Sequence, residues 1–186
     1  DRIDAVSAYK KGFYGKYSIM GWVEGPAAEA ADLRGVGAFL VDLMDDEAFA
    51  AELMDRCLQT GIDFARAQIE AGADTIGIGD AIASQVSPAI YDRLIQPREN
   101  QLINAVHDMG ALARLHICGD MTRILPGIAA LGVDILDVDH MVDMTVARRA
   151  AGGKVALAGN IDPVEGVLRG TPASIHKQIV ETFAAV

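Results

Sequence analysis

Gly72-Ala-Asp-Thr-Ile-Gly-Ile-Gly-Asp80, Gly110-Ala-Leu-Ala-Arg-Leu-His-Ile-Cys-Gly-Asp120, Gly132-Val-Asp-Ile-Leu-Asp-Val-Asp-His140 and Gly153-Lys-Val-Ala-Leu-Ala-Gly-Asn160 are four versions of one pattern. Each opens on a glycine suited to ending a helix in the left-handed conformation. A short β-type run follows, and a polar or charged residue closes it. Tyr17-Ser-Ile-Met-Gly-Trp-Val-Glu24 reads as an earlier, fifth copy. Amphipathic stretches fill the gaps. Phe49, Leu53, Cys57, Ile62, Ala65 and Ile69 recur at helical steps between Asp46 and Ala71. Ser87-Pro88 reads as an N-cap with proline at the first helical position, and Pro97 should split the helix it starts. Further helices are expected near 121–131, 143–151, 163–168 and 172–185. Strands alternating with helices predict a parallel sheet.

Five such units are roughly five-eighths of a (β/α)8 barrel, which needs eight strands and about 250 residues. A doubly wound open sheet of five strands would instead be complete at 186 residues. The strand patterns alone do not separate the two. The chain begins with Asp1 rather than Met, so a piece of a longer chain is expected.

Composition narrows the function classes. Apolar residues make up 51% of the chain and charged residues 23%, enough for a core and unlike a disordered chain. The formal net charge of −10 argues against nucleic acid as a partner. No run approaches the about 18 apolar residues of a membrane span, and no secretory signal is seen. Two cysteines, Cys57 and Cys118, make no disulfide framework and fit a reducing cytoplasm. There is no G-x-G-x-x-G, no Walker-type loop and no G-x-S-x-G elbow, which disfavours a nucleotide cofactor and the usual hydrolase nucleophile.

The chemistry-bearing residues gather where the strands end. Glu24, Asp80, His116, Cys118, Asp120, Asp139, His140, Asn160 and Asp162 all fall at or just past a strand's C-terminal end. That end faces the active site in parallel α/β folds. Helix capping explains some of these acids, Asp120 and Asp143 especially. It does not explain His116 and Cys118. Two residues apart on a strand, they share a face and offer nitrogen and sulfur donors suited to zinc. The bland alternative is a small buried thiol beside an unrelated histidine. Asp139, His140, Glu24 and Asp80 are candidates for a third ligand, as is a cysteine beyond Val186; Cys57 reads as a core thiol. His140 is a pocket candidate because imidazole exchanges protons near neutral pH. His107 reads as solvent-facing or near a helix end, and Arg114, Arg123, Arg148 and Arg149 as candidate contacts for an anionic substrate, although Arg148-Arg149 fit a solvated helix face better.

Ala158-Gly159-Asn160-Ile161-Asp162-Pro163, with Val167-Leu168-Arg169-Gly170-Thr171-Pro172, closely resembles the "GN-hydrophobic-DP … L … G(S/T)P" segment of the uroporphyrinogen decarboxylase superfamily. Gly79-Asp80-Ala81-Ile82-Ala83-Ser84 with Val86-Ser87-Pro88 and Tyr91, and Trp22-Val23-Glu24-Gly25-Pro26, are similar to two further stretches of that family, in the same order. The resemblance implies a (β/α)8 barrel present in part, with 1–186 as one partial barrel domain lacking the family's N-terminal part and the barrel's end. His116-Ile117-Cys118-Gly119 looks like the zinc-ligand segment of the corrinoid and coenzyme M methyltransferase branch. That branch implies zinc on His116 and Cys118, a third ligand beyond Val186, and transfer of a methyl group between a corrinoid protein and a thiol. Asp80 and His140 are then expected as catalytic residues, and Glu24, Asp139, Asn160 and Asp162 as substrate-binding ones. The decarboxylase branch implies metal-free decarboxylation of a porphyrinogen, with no cofactor. A third possibility is an inactive fragment or assembly module, since an incomplete barrel has unpaired edges that favour a homo-oligomer.

Overall fold

The computed structural model describes residues 3–186. Helix α1 (Asp4–Phe13) precedes strand β1 (Met20–Glu24). Helices α2 (Pro26–Arg34), α3 (Val36–Asp45) and the long α4 (Glu47–Ala71) lead to β2 (Thr75–Gly79). A 3-10 turn (Ala81–Gln85), α5 (Pro88–Ile90), a π-helical stretch (Tyr91–Ile95) and α6 (Gln96–Asp108) lead to β3 (Leu112–His116). Then come a 3-10 turn (Thr122–Ile124), α7 (Leu125–Ala129), β4 (Ile135–Val138), α8 (Met144–Ala151), β5 (Ala156–Gly159), a π-helical stretch (Pro163–Leu168) and α9 (Pro172–Ala184). The five strands form one sheet in the order β1-β2-β3-β4-β5, every pair parallel. Sequential order with helical crossovers is barrel winding rather than the reversed order of a doubly wound sheet. The fold is a partial (β/α)8 barrel.

The expected break near Pro97 is present. Ser87 Oγ accepts the Ile90 N–H as N-cap, and α6 restarts with Pro97 in its first turn, after the π-helical stretch. The helix-ending glycines also appear: Gly72, Gly110 and Gly132 all have positive φ. In the last copy Gly152, not Gly153, takes the left-handed conformation, because α8 stops at Ala151.

In β2, β3 and β4 the face turned toward the helices is greasy and buried. Ile76, Ile78, Leu115, Leu136 and Val138 point with Ala113 into a core shared with Met54 and Leu58 of α4 and Leu102 and Ile103 of α6. Each such Ile or Leu contributes roughly 1.5–3 kcal/mol by leaving water. The strand's N-terminal end is stapled by the aspartate of each Gly-x-Asp repeat. Asp74 accepts from the Ile19 N–H (2.9 Å) and the Ser18 hydroxyl (2.6 Å). Asp134 accepts the Ala113 N–H (2.8 Å) and pairs with His107 (2.9 Å), which sits in the last turn of α6, near a helix end as expected, partly exposed and bonded.

Candidate functional site

The opposite, concave face carries the polar side chains in level rows. Register places Trp22, Gly77, Arg114, Ile135 and Ala156 side by side, and one step nearer the C-terminal mouth Glu24, Gly79, His116, Asp137 and Ala158. The two β2 glycines are a slot for Trp22. A Cβ at Gly77 would lie 2.3 Å from the indole, and one at Gly79 2.9 Å. With that room the indole lies across β2, its ring centroid 6.0 Å from that of His116, and its N–H donates to Glu24 at 3.2 Å.

His116 and Cys118 converge. The imidazole Nε2 is 3.1 Å from the Cys118 Sγ, and the thiol is exposed. Asp137 takes the other imidazole nitrogen, Nδ1, at 3.0 Å. Arg114 grips the same carboxylate through Nε (2.9 and 3.1 Å) and Nη2 (2.9 Å). Arg114, an expected contact for an anionic substrate, is thus bound to Asp137. Asp137 was not picked out from the sequence, although stepping back two residues along β4 from Asp139 puts it on the same face. Partial loss of water around the sulfur pushes the Cys118 thiol up, and Asp139 and Asp137 push it further. A cation beside that sulfur would relieve this field.

Past the strand ends, polar residues reach back to the preceding unit. Asp139 accepts from the Gly119 N–H, just after Cys118, and from the Met141 N–H, each at 2.9 Å. Burial works to raise its carboxyl, but those two N–H bonds, with help from His140 and His116, hold it below the usual carboxylate range. His140 is held by Asp139 through Nδ1 (3.0 Å), and its Nε2 lies 3.6 Å from Asp162. Asp162 caps the Pro163–Leu168 stretch through the Val164 and Glu165 N–H groups, which lower its carboxyl. Asn160 donates to the Val142 carbonyl at 2.6 Å. Cys118, Asp139, His140, Asn160 and Asp162 therefore form one connected rim.

Asp80 belongs to different surroundings. It is fully buried and accepts from the Ala27 (3.3 Å) and Ala28 (2.8 Å) N–H groups in the first turn of α2. Burial outweighs those bonds and, with Glu24 nearby, pushes its carboxyl up to about 7. Its observed work is capping α2 beneath the Glu24 turn. Its side chain is closed off from solvent, where the sequence reading expected a catalytic residue at the strand's end. The reason is that α2 folds over the end of β2. Cys57 is buried, its thiol pushed up to about 11 by burial and Glu29, and it lines a cavity of about 490 Å3 with Trp22, Glu24 and Phe64.

His116 and Cys118 suit a zinc ion by donor type, by their convergence and by the carboxylate that orients the imidazole. Among the described residues no group of three or more His, Cys, Asp or Glu is arranged to hold a metal, and His116 and Cys118 stand there as a pair of donors. Among the described residues no helix is long and apolar enough to cross a membrane.

The family pattern of uroporphyrinogen decarboxylase (URO-D) matches residues 2–185. The methylcobamide:CoM methyltransferase MtbA of Methanosarcina mazei is 32% identical over 166 residues, 88% of this chain and 48% of that protein. The uroporphyrinogen decarboxylase of Microcystis aeruginosa is 29% identical over 176 residues, 90% of this chain and 49% of that protein. Among solved structures, a methyltransferase from Methanosarcina mazei superposes with a TM-score of 0.90 at 26% identity, covering 98% of this chain and 54% of that one. The chain spans about half the length of the curated relatives it matches. It belongs to the uroporphyrinogen decarboxylase family, whose matched members include both methyltransferases and decarboxylases.

Proposed function

We propose that the protein is a zinc-dependent methyltransferase that moves a methyl group between a corrinoid protein and a small thiol. The observation that carries this reading is the 3.1 Å approach of His116 Nε2 and Cys118 Sγ on the concave face, with Asp137 on the far side of the imidazole. His116 and Cys118 would hold the ion, with a third donor from outside residues 1–186. Bound there, zinc would supply the positive charge that keeps a substrate thiol as its nucleophilic thiolate.

The chain's other residues prepare the pocket. Trp22 walls the imidazole and narrows the lumen over β2. Asp139 tethers the loop after Cys118 and holds His140 by Nδ1, leaving His140 Nε2 to take the proton a thiol loses. Glu24, Asn160 and Asp162 border the pocket and bind substrate, while Asp80 acts from below by fixing α2 and the Glu24 turn.

The second reading, a metal-free porphyrinogen decarboxylase, is favoured by the decarboxylase relatives that match 90% of the chain. One experiment separates the two. The intact protein is stripped of metal and assayed for methyl transfer from a methylated corrinoid to a thiol, and for carbon dioxide release from uroporphyrinogen. Methyl transfer that is lost on stripping, regained with zinc and absent in Cys118→Ala supports the proposal. Carbon dioxide release by stripped protein, unchanged in Cys118→Ala, overturns it.

A further inference from the structure

Arg114 and Asp137 stand behind the two candidate donors, His116 and Cys118. Arg114 is the basic side chain of the inner row on β3, and all its charged contacts go to Asp137. The Asp137 carboxylate is mostly shielded from solvent, with 13% of the side chain exposed. It touches two groups, the guanidinium and His116 Nδ1. An ionised carboxylate only accepts hydrogen bonds. The neutral imidazole must therefore carry its proton on Nδ1, which leaves the Nε2 lone pair facing the Cys118 sulfur.

We propose that Asp137, clamped by Arg114, is a positioning residue that locks His116 in the Nδ1–H tautomer and so presents Nε2 as the donor atom. Register explains why these residues meet. Asp137 stands level with His116 on the neighbouring strand, and Arg114 sits one step below on the same face as His116. The bidentate guanidinium fixes the plane of the carboxylate, which a lysine's single point charge would not do. The chain Arg114–Asp137–His116–Cys118 then acts as one rigid unit, and only its last two members would touch an ion. The tautomer claim stands on the geometry alone. The consequence for affinity rests on the zinc reading above.

The test is 15N NMR of histidine-labelled intact protein, metal-free and at a pH where His116 is neutral, followed by zinc titration against a chromogenic chelator. Wild type should show His116 protonated on Nδ1. In Asp137→Asn the guanidinium draws the amide oxygen and turns the amide NH2 toward Nδ1, so His116 should switch to the Nε2–H tautomer. Zinc affinity should fall about 10- to 100-fold. Asp137→Ala, which removes the acceptor without supplying a donor, should give a mixture of tautomers and a loss in the same range. A wild-type His116 protonated on Nε2 overturns the proposal, and needs no variant to fold. Zinc bound by wild type and equally well by Asp137→Asn and Asp137→Ala overturns its consequence while leaving the zinc reading intact. An Nδ1–H tautomer in a protein that binds no zinc does the reverse.

Discussion

β2 and β4 both end in an aspartate that reaches back to the unit before it, yet the two ends have become different chemical places. Asp80 is roofed by α2, sealed from solvent and pushed up to about 7 by burial. Asp139 sits at the open rim, and the Gly119 and Met141 N–H groups overcome its partial burial and hold it below the usual carboxylate range. Both accept two backbone N–H bonds, so hydrogen bonding does not separate them. Desolvation does, because an ionised carboxyl loses far more when no water is left to share its charge. The same short polar ending serves as a fold-closing cap in one unit and as part of a candidate site in another.

The strongest test of this contrast is stability against pH. Asp80 keeps its proton in the folded chain until about pH 7, whereas the unfolded chain gives it up near pH 3.9. Between those values the folded state binds more protons, so stability falls as pH rises, by up to roughly 1.4 kcal/mol per pH unit from this one group. Glu24, Glu99 and Tyr91 are the titratable groups that bear on it. Glu99, also buried and raised by desolvation and then by Asp80, adds to the fall. Asp139 contributes in the opposite sense: its share is present above the unfolded value and is lost as pH drops through its lowered folded value. Urea unfolding across pH 4–8 should show stability declining toward neutrality, and Asp80→Asn should remove Asp80's share of that slope. An unchanged slope in Asp80→Asn would break the contrast.

A smaller effect sharpens it from the other side. Asp139→Ala should cost about 1–2 kcal/mol, since the freed Gly119 and Met141 N–H groups lie near water and rebind it. Its larger signature should be local, as faster amide exchange at Gly119 with the core amides of β2 and β3 unchanged. If Asp139→Ala loosens the core strands as a whole, the rim and the roofed end are one cooperative unit and the distinction falls.

The sequence made the five strands visible because period-two greasy runs and helix-ending glycines are local signals. The N-cap at Ser87 and the break near Pro97 were legible for the same reason. His116 and Cys118 could be paired from alternation alone, since two residues on one strand need no partner to fix their face. Asp137 was hidden because its importance lies across the sheet, in the register that sets it beside His116. Asp80 looked like a rim acid because nothing in its own strand says that α2 covers it. Trp22 and the paired glycines Gly77 and Gly79 form one feature only once β1 and β2 are aligned. Local pattern therefore gave the elements and the mouth, and tertiary cover decided which polar ends work there.

Whether a metal sits between His116 Nε2 and Cys118 Sγ decides the reaction this site can run. A crystal structure of the intact protein grown with zinc should show an ion about 2.0–2.1 Å from His116 Nε2 and about 2.3 Å from Cys118 Sγ, with Asp137 still on Nδ1. An ion bound elsewhere, with His116 and Cys118 still in contact with each other and carrying no metal, would overturn the zinc assignment.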